Sequence, residues 1–157
     1  MKALVVYFSR SGHTRQLAKE IAARCGADLE AIREARSREG VWGYCRSLWD
    51  AFKRATPPIN AAFRNPAGYE LVIIGTPVWN FGLAPPVRSY AQQHAKQFKQ
   101  VAFFCTEGGS GDRRAFDELS RICGKQPVAT FALTEKQLPE PAHKEPLRRF
   151  VARVAVG

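Results

Sequence analysis

The sequence lacks any long hydrophobic run. Its first apolar stretch ends at Ser9, too short for the core of a signal peptide or for a membrane span. Nothing in it directs export, so a cytoplasmic location is expected. Cysteine is scarce too: Cys25, Cys45, Cys105 and Cys123 lie 20, 60 and 18 residues apart, without a C-x-x-C pair or zinc-like ligand spacing. Reduced, mostly structural thiols follow. Neither G-x-x-x-x-G-K-[ST] nor G-x-G-x-x-G occurs, which removes the usual triphosphate and dinucleotide loops. There is no internal repeat, low-complexity tract or linker. Acidic residues are outnumbered, 14 against 24 Lys and Arg, for a net charge of +10. That excess is not concentrated: residues 1–66 carry 12 basic and 6 acidic side chains and residues 67–157 carry 12 and 8. With no stripe, tail or reader motif, nucleic acid is not the expected partner.

What is present suffices for a core. With 45% apolar and 24% charged residues over 157 positions, one folded domain spanning 1–157 is expected. Apolar runs of strand length, rich in Val, Ile and Phe, occur at residues 3–8, 71–75, 101–105 and 128–133, and residues 27–30 read as a further short strand. The four apolar runs are nearly continuous rather than alternating, as in strands buried on both faces. Between the first two strands, Leu17, Ala18, Ile21, Ala22 and Cys25 share one helix face, with Gly26 as the stop. Val41, Trp42, Cys45, Leu48, Trp49 and Phe52 repeat at helical spacing in the long connection over 31–66, and further helices are predicted at 86–96, 112–122 and 144–156. Strand and helix in alternation give an α/β fold: a three-layer sandwich whose five-stranded parallel sheet has helices on both faces. Ligands of such sheets sit beyond the carboxyl ends of the strands, so chemistry is sought in the loops after strands 1, 3 and 4.

The first of these loops reads Ser9-Arg10-Ser11-Gly12-His13-Thr14. Hydroxyls at 9, 11 and 14, a glycine and the free amides of a starting helix outline a cradle for a phosphate monoester. Arg10 and His13 either add charge there or are solvated. An ordinary capped turn would use the same Ser and Thr. The second loop, after strand 3, contains Pro77, Val78, Trp79, Asn80 and Phe81. Its two large aromatics suit stacking on a flat heteroaromatic ring, or simply cover the end of the sheet. The third reads Thr106-Glu107-Gly108-Gly109-Ser110-Gly111 before Asp112. Its glycines permit close backbone approach to a ligand, or serve as a plain connection.

Taken together, Ser9-x-Ser11-Gly12-x-Thr14 resembles the phosphate loop of the flavodoxin family, and Gly75-Thr76-Pro77-Val78-Trp79 and Thr106 to Gly111 resemble its two isoalloxazine loops. The resemblance covers essentially the whole chain. It implies the flavodoxin-like strand order 2-1-3-4-5 and a noncovalently bound FMN through which electrons pass. It also implies that the loop 9–14 holds the phosphate, that Pro77, Val78, Trp79, Asn80 and Phe81 line the ring, and that Thr106, Glu107, Gly108, Gly109 and Gly111 meet its pyrimidine edge, where Glu107 tunes the potential. The partner is then a redox protein or a small-molecule electron acceptor. Two departures stand out. The third loop carries glycines where many flavodoxins place a tyrosine, which leaves one ring face open, and the chain is basic where flavodoxins are usually acidic, which calls for an acidic partner.

An open ring face also suits a small NAD(P)H-dependent FMN quinone or nitro-compound reductase, with Trp42, Tyr44 and Trp49 bordering that face. A cysteine phosphatase built on Cys105 would need arginine at position 111, where glycine stands. No aspartate ends strand 1 or 3 as a receiver domain requires. A cofactor-free interaction module is the remaining alternative.

Overall fold

The computed structural model describes residues 1–35, 56–139 and 141–157. In chain order these form β1 (Ala3–Tyr7), α1 (His13–Cys25), β2 (Asp28–Ala31), β3 (Leu71–Trp79), β4 (Gly82–Leu83), α2 (Pro85–His94), β5 (Gln100–Glu107), α3 (Asp112–Cys123), β6 (Thr130–Thr134) and α4 (Lys144–Val156). The helix expected around Val41 to Phe52 lies outside the described residues. Strands β2, β1, β3, β5 and β6 pair in that order and all in parallel. This is the expected 2-1-3-4-5 order once β4, which pairs only with β3, is set aside.

Side chains of alternate strand residues point to opposite faces, and both faces are apolar. Leu4, Val6, Val72, Ile74, Val101 and Phe103 face α2 and α3 through Val87, Ala91, Ala115 and Leu119. Val5, Leu71, Ile73, Ala102 and Phe104 face α1 and α4 through Leu17, Ile21, Leu147 and Phe150. The near-continuous strand sequences have this cause. At Gly75 the packing is closest: a methyl group there would lie 2.0 Å from Cζ of the fully buried Phe104. Among the described residues no helix is long and apolar enough to cross a membrane.

Three boundaries differ from expectation. β3 continues past Gly75 to Trp79 and turns through Asn80 and Phe81 into β4, so Pro77, Val78 and Trp79 belong to a strand rather than a loop. Pro77 is tolerated because the Gly75 carbonyl already faces Phe8 N–H, at 3.2 Å, on the β1 side. The backbone of Pro77, two residues on, faces the same side after β1 has ended, so its missing N–H costs no ladder bond. β5 likewise runs on through Thr106 and Glu107, which pair with Leu133 and Thr134 of β6. β6 begins at Thr130, two residues later than expected, although Val128 and Ala129 already hydrogen-bond to β5.

Candidate functional site

Gly12 starts α1 in the left-handed conformation, φ 100°, and no side chain caps the helix. The first-turn amides are therefore left for an anion. Around them each hydroxyl has a partner of its own. Ser9 Oγ accepts the Gly12 N–H at 3.1 Å, which leaves the Ser9 proton to donate. His13 Nδ1 lies 3.0 Å from Ser11 Oγ and 3.3 Å from the Glu135 carboxylate. A proton on Nδ1 would serve both oxygens and leave the Ser11 proton to donate. Thr14, 1% exposed, meets Thr106 through their hydroxyls at 2.7 Å, which ties the first loop to the end of β5. The arrangement is a set of donors converging on one helix start.

The second element is the β3–β4 hairpin. Asn80 and Phe81 have φ of 48° and 61°, the mirror-image turn that matches strand twist in two-residue hairpins. For phenylalanine that conformation is strained, and the ring is 63% exposed. Trp79 is half-buried. Its ring packs edge-on against Phe8, 5.4 Å between centroids at 87°, and the Arg10 guanidinium sits 5.9 Å from its centroid. Gly111 seats the hairpin: with φ 116°, it offers a surface on which an added methyl would stand 2.6 Å from Val78 Cγ1 and 3.0 Å from the Phe81 backbone. Behind, buried Arg88 of α2 binds Glu118 of α3 at 2.6 Å and reaches the Leu83 carbonyl at 3.4 Å.

The third element follows β5. Gly108, Gly109 and Ser110 are exposed and carry no ring. Glu107 is buried beneath them and accepts the Asp112 N–H at 3.1 Å. Burial and the nearby Asp112 charge hold its carboxyl above the ordinary range, against the lowering effect of that hydrogen bond. Cys105, fully buried, is pushed upward by the same burial, with Glu107 and Asp112 adding to it, the wrong direction for a thiolate nucleophile.

All three loops thus meet at the carboxyl end of the sheet, through Thr14 with Thr106, Arg10 with Trp79, and Gly111 with the hairpin. A family model described as flavodoxin matches residues 2–153. The chain belongs to the flavodoxin family. No curated protein matches it. Among solved structures, a flavoprotein of Lactobacillus acidophilus in complex with FMN is 23% identical, covering 83% of this chain and 92% of that one at a TM-score of 0.73. A flavoprotein of Bacteroides eggerthii is 24% identical over 95% and 97% of the two chains, at 0.72. The two-electron reduced flavodoxin of Megasphaera elsdenii is 19% identical over 99% of both, at 0.60.

Within this flavodoxin fold, the sequence-predicted residues of all three loops are brought to one edge. His13 faces the Glu135 carboxylate at 3.3 Å, and Arg10 covers Trp79. Missed were Glu135, which orients His13, and the pair Arg88 and Glu118, which supports the hairpin. Glu135 is 122 residues from its partner and no local pattern marks it. Arg88 and Glu118 left a trace as charges on the apolar faces of helices.

Proposed function

We propose that this flavodoxin-family chain binds FMN noncovalently and carries electrons through it. The observation that carries the reading is the first loop: an uncapped helix start flanked by Ser9, which accepts the Gly12 N–H and so keeps a proton to donate, and by the Ser11 hydroxyl beside His13 Nδ1. A phosphate monoester needs such donors. The hairpin residues Pro77, Val78, Trp79, Asn80 and Phe81 line the ring, and the backbone from Thr106 to Gly111 meets its pyrimidine edge. FMN, when bound, supplies the redox chemistry. The protein binds it, orients it and sets its potential: Trp79 is held by Phe8, and a charge on buried Glu107 opposes any further negative charge beside it. The net charge of +10 favours an acidic redox partner over a basic one.

A second reading is an NAD(P)H-dependent FMN reductase. The exposed, ring-free residues 108–110 favour it, because they leave room beside the flavin for a substrate. One experiment separates the two. The purified protein is loaded with FMN, desalted, and its absorbance recorded before and after anaerobic addition of NADPH or NADH. Retained flavin bands that nicotinamide does not bleach support the carrier; rapid bleaching supports the reductase. Loss of all flavin on desalting overturns both.

A further inference from the structure

We propose that the outer face of α3, beside the Phe81 ring, is the docking surface for an acidic redox protein. The inference rests on the FMN reading above, since the surface borders the hairpin and loop assigned to the flavin. An open groove runs from Phe81 past Gly111 to Arg113, Arg114 and Arg121, with Asp117 between them. All three arginines are exposed, and among the described residues none forms an ion pair. Arg24, Arg64, Arg88, Arg148 and Arg149 each face a carboxylate within the chain, whereas the exposed Arg15, Arg33 and Arg153 stand apart from one another on α1, after β2 and on α4. What distinguishes α3 is that three such arginines line a single groove.

Phe81 supplies the second observation. It belongs to neither apolar core, is 63% exposed, and is held at a φ of 61° that bulky residues rarely adopt. An apolar ring rimmed by unpaired arginines has the anatomy of a transient protein interface. The dimensions favour a macromolecule over a small anion. Arg113 to Arg121 spans about 12 Å of helix at 1.5 Å per residue, and the groove is open rather than enclosed, so one phosphate group cannot engage the whole row. A protein carrying several carboxylates can, and its approach is steered by the same field.

The test uses the FMN-loaded protein, reduced anaerobically with dithionite and mixed with the acidic haem domain of cytochrome b5 or with basic cytochrome c over a salt series. Two ferric haems take the two electrons of one reduced flavin, and any flavin proton leaves to solvent. With cytochrome b5 the wild-type rate is expected to fall roughly tenfold or more from low to high salt. The variant R113E/R114E/R121E should lose about that factor at low salt, react faster with cytochrome c, and keep its FMN affinity. A cytochrome b5 rate and salt slope unchanged in the variant overturn the proposal. So does a variant whose only defect is slower reduction by NADPH, which would make the face a nicotinamide phosphate site. Calorimetric titration of the same protein with cytochrome b5 separates the two layers. Binding that depends on the arginines without electron transfer upholds the surface and removes the carrier function, whereas electron transfer indifferent to the arginines does the reverse.

Discussion

Replacing Gly111 by alanine tests how the hairpin is held over the flavin site. At φ 116° the position suits glycine, and an alanine there costs about 1–3 kcal/mol in backbone strain. Its methyl would also stand 2.6 Å from Val78 Cγ1, well inside the 3.4 Å of an ordinary contact. Overpacking of this kind adds about 1–3 kcal/mol. The chain can relieve part of this by letting the short hairpin lift away from α3, so the penalty falls on the state that needs the hairpin closed, the FMN complex. If about 2–4 kcal/mol reaches that state, the Kd for FMN rises by roughly 30-fold to 1,000-fold. Titration of FMN fluorescence reads this directly. Val78→Ala in the Gly111→Ala background removes the clashing methyl and should recover part of the loss, leaving the backbone share. A Gly111→Ala protein whose Kd stays within roughly threefold of wild type, below 1 kcal/mol, would refute the seating of the hairpin on this glycine.

Other outcomes follow from the same geometry. Ser11→Ala with Thr14→Ala should abolish FMN retention on desalting while circular dichroism stays native, and loss of the buried Thr14–Thr106 bond should lower stability by about 1 kcal/mol. Retained stoichiometric FMN would remove the phosphate assignment. Gly75→Ala drives a methyl to 2.0 Å from the Phe104 ring and should cost about 3 kcal/mol, lowering Tm by about 6–12 °C in a chain of this size; Phe104→Leu in the same chain should restore part of it. Glu107→Gln tests a pH dependence. Because the folded state holds the Glu107 proton more tightly than the unfolded chain, its contribution is full below the ordinary value of 4.5 and is lost as pH rises from there through the raised value. The stability of Glu107→Gln relative to wild type should therefore increase from acid toward neutral pH in urea titrations. A difference that stays flat would contradict the buried charge.

The parallel sheet and its two helical layers were legible because Val5, Ile73 and Phe104 on one face and Val6, Ile74 and Phe103 on the other make continuous apolar strands, which only a sheet covered on both sides explains, while the strand order came from the resemblance to the flavodoxin family. The helix ends were legible as well, since Gly26 takes the left-handed conformation at the close of α1. The extension of β3 was not. Pro77 reads as a strand terminator unless one knows that β1 has already ended beside it, and the turn at Asn80-Phe81 lacks the Asn-Gly pair that usually announces a tight hairpin. The phosphate loop was recognisable from Ser9, Ser11, Gly12 and Thr14, but not the partners its side chains take. Ser9 takes the Gly12 N–H, and His13, beside Ser11, faces Glu135, remote in sequence and brought near only by the pairing of β5 with β6.

The most direct test of the central claim compares two ligands that differ only in the phosphate. FMN and riboflavin are titrated into the protein under the same conditions and their affinities measured by flavin fluorescence. If the loop from Ser9 to Thr14 holds the phosphate, FMN should bind at least roughly 100-fold more tightly, about 2.7 kcal/mol. Equal affinities, or no binding of either, would contradict it.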